Sequence, residues 1–182
     1  NSGVYGKTIN INDITFNSLR SKIGIVSQDI YLFDGTIEDN IRYGKPDADK
    51  EDIIRAAKKA NAYEFITKFK DGFNSNIGRD GIKLSGGQKQ RISIARMILA
   101  NPDIIILDEA TSKLDNETEK IVQEAIDNFQ DNKTVISIAH RLSTLDNCDY
   151  LIGIKNHIIY EQGTKKELEN NKDSLYYKLS NM

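Results

Sequence analysis

The sequence of 182 residues contains no tryptophan, two prolines and one cysteine, Cys148. A single thiol excludes a disulfide framework within the chain and fits a reducing compartment, where Cys148 reads as a small apolar residue. Long hydrophobic runs are missing too. Runs such as Ile104 to Leu107 fall far short of the about 20 residues that span a bilayer, and the polar start Asn1-Ser2-Gly3 shows no signal-peptide pattern. A membrane role therefore has to come through a partner. Neither sign of charge dominates: 25 Lys and Arg stand against 27 Asp and Glu, a formal net charge of −2. That balance lacks the basic footprint of a phosphate-backbone binder, so no nucleic acid is expected as a partner. There are no internal repeats and no low-complexity linker, and a hydrophobic share of 38% suffices for one globular core.

Glycine, proline and charge divide the chain into three blocks. In the first, the β-branched run Ile23 to Val26 predicts a strand, followed by a loop from Gln28 to Tyr43 that ends at Gly44-Lys45-Pro46. The second is helical. Asp49 to Phe69 places Ile53, Ile54, Ala57, Ala62, Phe65, Ile66 and Phe69 on one buried stripe, and a second helix opens at Ser85 and runs to about Ala100. In the third block the strand Ile104 to Leu107 precedes a helix with Ile121, Val122, Ala125, Ile126 and Phe129 on one face, and then the strand Thr134 to Ala139. Strand, helix, strand at this spacing predicts a parallel sheet. Tyr150 to Ile154 and Ile158 to Tyr160 read as a hairpin at the edge of that sheet, and short helices follow around Lys165 to Asn170 and Ser174 to Leu179.

Chemistry in open α/β sheets gathers outside the carboxyl ends of the strands. Ile104-Ile105-Ile106-Leu107 ends there in Asp108 and Glu109, adjacent carboxylates that point in different directions. One can hold a hydrated Mg²⁺ while the other orients or deprotonates water, against the plainer reading of a strand running into an acidic helix start. Gln28 and His140 follow two other predicted strands at the same end. In Leu84-Ser85-Gly86-Gly87-Gln88, Ser85 and Gln88 form a capping box. Capping alone gains nothing from Gly86 and Gly87, which strip side chains from a helix N-terminus and admit an anion to its backbone N–H groups.

In order and approximate spacing, Gln28, Leu84 to Gln88, Asp108 with Glu109, Ser112 to Asp115 and His140 resemble the Q-loop, signature motif, Walker B motif, D-loop and H-loop of ABC ATPases. The likeness extends to Glu161-Gln162-Gly163-Thr164, and Gln28 to Ile41 is similar to the Q-loop of exporters of peptides, lipids or drugs. The resemblance implies an α/β fold with a P-loop NTPase-like (RecA-like) parallel-sheet core, truncated at its N-terminal side, with residues 1–45 in the core, 46–100 as an inserted helical subdomain and 101–182 in the core again. It implies ATP and Mg²⁺ as ligands, with Asp108 and Gln28 on the metal, Glu109 polarising the attacking water and His140 on the γ-phosphate. Ser85, Gly86, Gly87, Gln88 and Asp115 would serve nucleotide bound across a head-to-tail pair with a second nucleotide-binding domain. Transmembrane domains would dock at the Q-loop region, on the cytoplasmic face of the cell membrane. Two positions depart from the family pattern: Lys113 in the D-loop, and Gly78-Arg79-Asp80-Gly81, where exporters carry a glutamate before an arginine.

No complete G-x-x-x-x-G-K-[ST] occurs. Asn1 to Thr8 ends in Gly6-Lys7-Thr8, but its first position is not glycine, and Thr8-Ile9-Asn10-Ile11-Asn12 alternates like a strand where a P-loop must open a helix. These residues resemble instead the family's strand after the P-loop helix, so the chain is expected to begin downstream of that loop and to be inactive alone. Without the covering P-loop helix, Ile105 and Ile136 are expected to lack cover and the sheet to self-associate, or to be crossed by a rearranged segment from Gly3 to Asn12. The competing readings are a non-catalytic partner that lends its signature motif to a complete domain, and a soluble ABC ATPase, which should carry a long coiled-coil insertion.

Overall fold

The structure, a computed structural model, describes residues 9–110, 114–139 and 142–181. It divides into two compact units, residues 1–136 and 137–182. In the first, helix α1 (Phe16–Ser21) leads into strand β1 (Ile23–Val26), and helices α2 (Ile37–Arg42), α3 (Lys50–Lys59), α4 (Tyr63–Ile66) and α5 (Gly86–Ala100) follow. Strand β2 (Ile104–Asp108), helix α6 (Asn116–Asp127) and strand β3 (Thr134–Ile138) come next. Strands β4 (Leu151–Lys155) and β5 (Ile158–Gly163) and helices α7 (Lys165–Asn170) and α8 (Leu175–Ser180) complete the chain.

The sheet has the order β1-β2-β3, with β1 and β2 parallel in the register Ile23↔Ile104 to Val26↔Leu107. Alternation sorts its side chains. Val26, Ile105 and Leu107 are buried, while Ile25 is 58% and Ile136 50% exposed. The expected lack of cover thus holds for Ile136 and fails for Ile105, which lies on the covered face. The core continues among the helices through Leu32, Ile37, Ile41, Ile53, Ile66, Ile92, Ile94 and Ile98. Each such side chain contributes about 1.5–3 kcal/mol when fully buried.

The stretch Asp49 to Phe69 is two helices, not one. Asn61 takes φ 51°, Asn61 N–H donates to the Lys58 carbonyl (3.0 Å) and Ala62 N–H to that of Ala57 (2.8 Å). This is a Schellman ending with asparagine in the left-handed place usually held by glycine. Between Gln28 and Tyr43 the chain is not all loop: α2 forms because Thr36 and Asp39 cap it reciprocally, the Thr36 hydroxyl accepting from Asp39 N–H at 3.0 Å and Asp39 Oδ2 from Thr36 N–H at 3.0 Å. Nor is Ile9 to Asn12 a strand. Asn10 Oδ1 accepts from Asn12 N–H (3.0 Å) and starts a 3₁₀ turn over Ile11–Asp13, a local bond that competes with extended pairing.

The second unit holds the hairpin β4-β5, an antiparallel sheet of its own rather than an edge of the larger one. Leu151, Leu168 and Tyr176 form its small core, with half-buried Cys148 against them. Burial pushes the Cys148 thiol up, which keeps it protonated. Glu161 ties the hairpin to α8 by accepting from the backbone N–H groups of Leu175 (2.6 Å) and Tyr176 (2.9 Å).

Gly44 is needed where the chain leaves α2. A Cβ there would lie 2.1 Å from the Arg96 carbonyl oxygen and 3.1 Å from its carbon, backbone atoms of α5 that cannot swing away. Gly44→Ala is expected to destabilise the chain by about 1–3 kcal/mol, measured by urea unfolding.

Candidate functional site

Because β1 and β2 run parallel with Val26 opposite Leu107, their carboxyl ends lie side by side. Gln28 stands just past one end, and Asp108 and Glu109 at the other. The two chain segments meet: Gln28 Nε2 donates to Glu109 Oε2 at 3.0 Å in a half-buried setting, joining residues 81 positions apart. Glu109 takes φ 48°, a left-handed conformation that costs a non-glycine residue of order 1–3 kcal/mol. A carboxylate oriented by a carboxamide is equipped to take a proton from water. Its neighbour suits a Mg²⁺ that needs only one or two protein carboxylates, the remaining ligands being waters and phosphate oxygens. Of the Gln28 carboxamide, the oxygen Oε1 is the atom with the chemistry to accept a cation. Among the described residues no cluster of three or more His, Cys, Asp or Glu could hold a metal ion.

Helix α5 begins as its sequence implies. Ser85 Oγ accepts from Gln88 N–H (3.3 Å) and Gln88 Oε1 accepts from Ser85 N–H (3.0 Å). The first-turn N–H groups of Gly86 and Gly87 have no intrahelical acceptor and sit at the positive end of a helix 15 residues long. The glycines divide the work. No atom lies within 4 Å of the Cβ position of Gly86, so the approach to the helix start is open there. A Cβ on Gly87 would lie 2.2 Å from Thr118 Cγ2, so this glycine lets α6 come close. Asp115 caps α6 by accepting from Thr118 N–H at 3.0 Å. That backbone bond, with the Thr118 hydroxyl second, holds the exposed Asp115 carboxyl below the usual aspartate range.

Gln28 and Glu109 are therefore in contact, Ser85 to Gln88 form one helix start, and Asp115 caps the helix packed beside it. His140, Ser112, Lys113 and the segment Asn1 to Thr8 lie outside the described residues. Sequence reasoning missed Thr118, whose packing against Gly87 joins the two helix starts, and Asn61. Asn61 Nδ2 donates to the Ile121 carbonyl (3.2 Å) and its own carbonyl accepts from Arg91 Nη1 (3.0 Å). An asparagine between two alanines inside an otherwise periodic stretch was the available signal for it.

Residues 4–112, more than half of the chain, match the family model described as ABC transporter. The chain belongs to the ABC transporter family. It is 57% identical over 162 residues to ABC transporter B family member 4 of Dictyostelium discoideum, covering 88% of this chain and 21% of that protein. With the ABC transporter ATP-binding protein YwjA of Bacillus subtilis (strain 168) it shares 49% identity over 160 residues, covering 88% of this chain and 28% of the relative. A solved bacterial Atm1-family ABC exporter with ATP bound superposes with a TM-score of 0.85 at 40% identity, over 94% of this chain and 30% of that one. This ABC transporter chain thus has the α/β P-loop NTPase fold of an exporter's nucleotide-binding domain. It spans 21% and 28% of the lengths of these two curated relatives. Among its described residues no helix is long and apolar enough to cross a membrane.

Two outcomes follow from the paired helix starts. Gly87→Ala is expected to lower stability by about 1–3 kcal/mol, since the added Cβ would lie 2.2 Å from the Thr118 methyl and one of the two must shift. Adding Thr118→Ser, which removes the clashing methyl, should restore most of the loss in thermal unfolding. The lowered pKa of Asp115 means that its cap stabilises the fold above the ordinary aspartate pKa and is lost as pH falls through the folded value. Asp115→Asn keeps a capping oxygen but no titration, so the difference in Tm between wild type and variant should shrink below about pH 4; a difference unchanged down to pH 2 would contradict the assignment.

Proposed function

We propose that this chain is the ATP-hydrolysing domain of an ABC exporter, working with Mg²⁺ and driving transport through transmembrane partners. The observation that carries the reading is the Gln28 to Glu109 hydrogen bond at the carboxyl ends of two parallel strands. A carboxamide held against a carboxylate at the carboxyl ends of parallel strands, the part of an open α/β sheet where ligands bind, supports that reading. In this reading Glu109 accepts a proton from the attacking water, Asp108 and Gln28 Oε1 hold the metal, and His140 contacts the γ-phosphate. The metal, when bound, supplies charge neutralisation on the phosphate oxygens.

Ser85, Gly86, Gly87 and Gln88 present a bare helix start that suits phosphate, and by the family resemblance the nucleotide they meet belongs to a second nucleotide-binding domain in a head-to-tail pair. Asp115, capping the adjoining helix, keeps that start in place. The Q-loop region following Gln28 is the expected seat of the transmembrane domains, on the cytoplasmic face of the membrane. Phosphoryl transfer depends mainly on positioning and electrostatics, and the 182 residues include no complete phosphate-cradling G-x-x-x-x-G-K-[ST] loop. The chain by itself is therefore proposed to be inactive.

The test is Glu109→Gln in the full-length transporter. An amide of the same size accepts no proton, so turnover should fall by about 10²–10⁴-fold while ATP stays bound. The chain of 182 residues serves as the control and should show neither hydrolysis nor micromolar Mg-ATP affinity in calorimetry. Near-normal turnover in the variant would remove Glu109 from the role of base.

A further inference from the structure

Arg96, three turns along α5 from its glycine start, makes an unusual set of contacts. Its Nε donates to the Asn40 carbonyl (2.9 Å), Nη1 to the Tyr31 carbonyl (3.1 Å) and Nη2 to Asn40 Oδ1 (3.0 Å). The guanidinium also lies over the rings of Phe33 (5.2 Å) and Tyr43 (5.5 Å), which pack on each other at 4.4 Å. Asn40 carries the grip further: its Oδ1 accepts from Phe33 N–H (2.8 Å) and its Nδ2 donates to the carbonyls of Phe33 (3.0 Å) and Thr36 (2.9 Å). Asn40 is fully buried.

Among the described residues the partners of Arg96 are carbonyl and amide oxygens and ring faces rather than a carboxylate. Neutral acceptors compensate a half-buried cation less well than a carboxylate does, and partial burial accordingly pulls the Arg96 pKa down. A hydrophobic residue would fill the same space without that cost. What the guanidinium adds is direction, because its planar fork fixes two chain segments, 31–36 and α2, against one helix. Tyr31 is three residues beyond Gln28. The loop that delivers Gln28 to Glu109 is thus fastened to α5, the helix whose other end is the bare start at Gly86 and Gly87.

We propose that Arg96 is a positioning residue: it locks the Gln28 loop to α5, so that the Gln28 to Glu109 contact follows the position of the helix whose N-terminus meets phosphate. The proposal rests on the functional reading above for its catalytic consequence, but its structural part stands alone. Occupation of the α5 start by an anion, or a shift of α5 on pairing, then reaches Glu109 through Arg96 and Tyr31.

The experiment uses Arg96→Lys, which keeps the charge but replaces three donor nitrogens in a rigid fork with one. In the ¹⁵N-labelled chain of 182 residues, the side-chain amide pair of Gln28 is expected to move to the position of a solvent-exposed glutamine while most backbone resonances stay. In the full-length transporter kcat should fall about tenfold with KM within twofold, and Gln28→Ala added to Arg96→Lys should cost nothing more. A folded Arg96→Lys chain with an unmoved Gln28 amide, or losses that multiply in the double variant, would overturn the proposal. Should Arg96→Lys not fold, Gln28→Ala read at the Arg96 Nε–H resonance decides. A shift and faster exchange support the clamp, and an unchanged signal refutes it. Absence of hydrolysis in the wild-type transporter would instead defeat the functional reading and leave the resonance test intact.

Discussion

Parallel pairing of β1 with β2 is the constraint on which the site depends. The register that sets Val26 against Leu107 makes both strands end at the same level, and the contact of Gln28 with Glu109 begins there. A slip of one residue would turn Ile105 and Leu107 to the bare face and Ile106 inward, so burial of the covered face enforces the register. The same burial delivers Gln28 and Glu109 within hydrogen-bond reach. The left-handed turn at Glu109 is then the local strain that a well-packed strand can hold in place.

Glycines act here as spacing devices rather than as flexible joints. Gly44 admits the backbone of α5 and Gly87 admits α6, while Gly86 keeps the solvent side of a helix start clear. Two of the three are consumed by protein contacts, so only one glycine of the Gly86-Gly87 pair is exposed to a ligand. Close approach between helices and access for an anion are thus met by adjacent residues with opposite surroundings.

Much of this was legible in the sequence, and the failures have physical causes. Strands β1, β2 and β3 were predicted because β-branched runs between polar breaks are short enough to exclude helices, α5 because Ser85 and Gln88 make a capping box, and α6 because apolar residues share one face. The break at Asn61 was hidden, since buried positions continue with helical spacing on both sides of it. Helix α2, six residues long, left too short a period to register against its surroundings. At the site, Gln28, Asp108 and Glu109 were nominated by lying past strand ends, but their contact spans 81 residues and no local pattern encodes it. The grip of Arg96 was invisible for the same reason: its partners Tyr31 and Asn40 lie 65 and 56 positions away.

The turn at Asn61 shows how two demands can leave one residue type. Its φ of 51° suits glycine, asparagine or aspartate. Its side chain must also give a hydrogen to the Ile121 carbonyl, which glycine lacks the atoms to do and aspartate, as a carboxylate, has no proton to do. Glutamine has the amide but gains nothing in the left-handed region. A small half-buried turn between two helices is therefore as narrowly specified as a position in the core, and substitution there is restricted by conformation and by hydrogen-bond polarity at once.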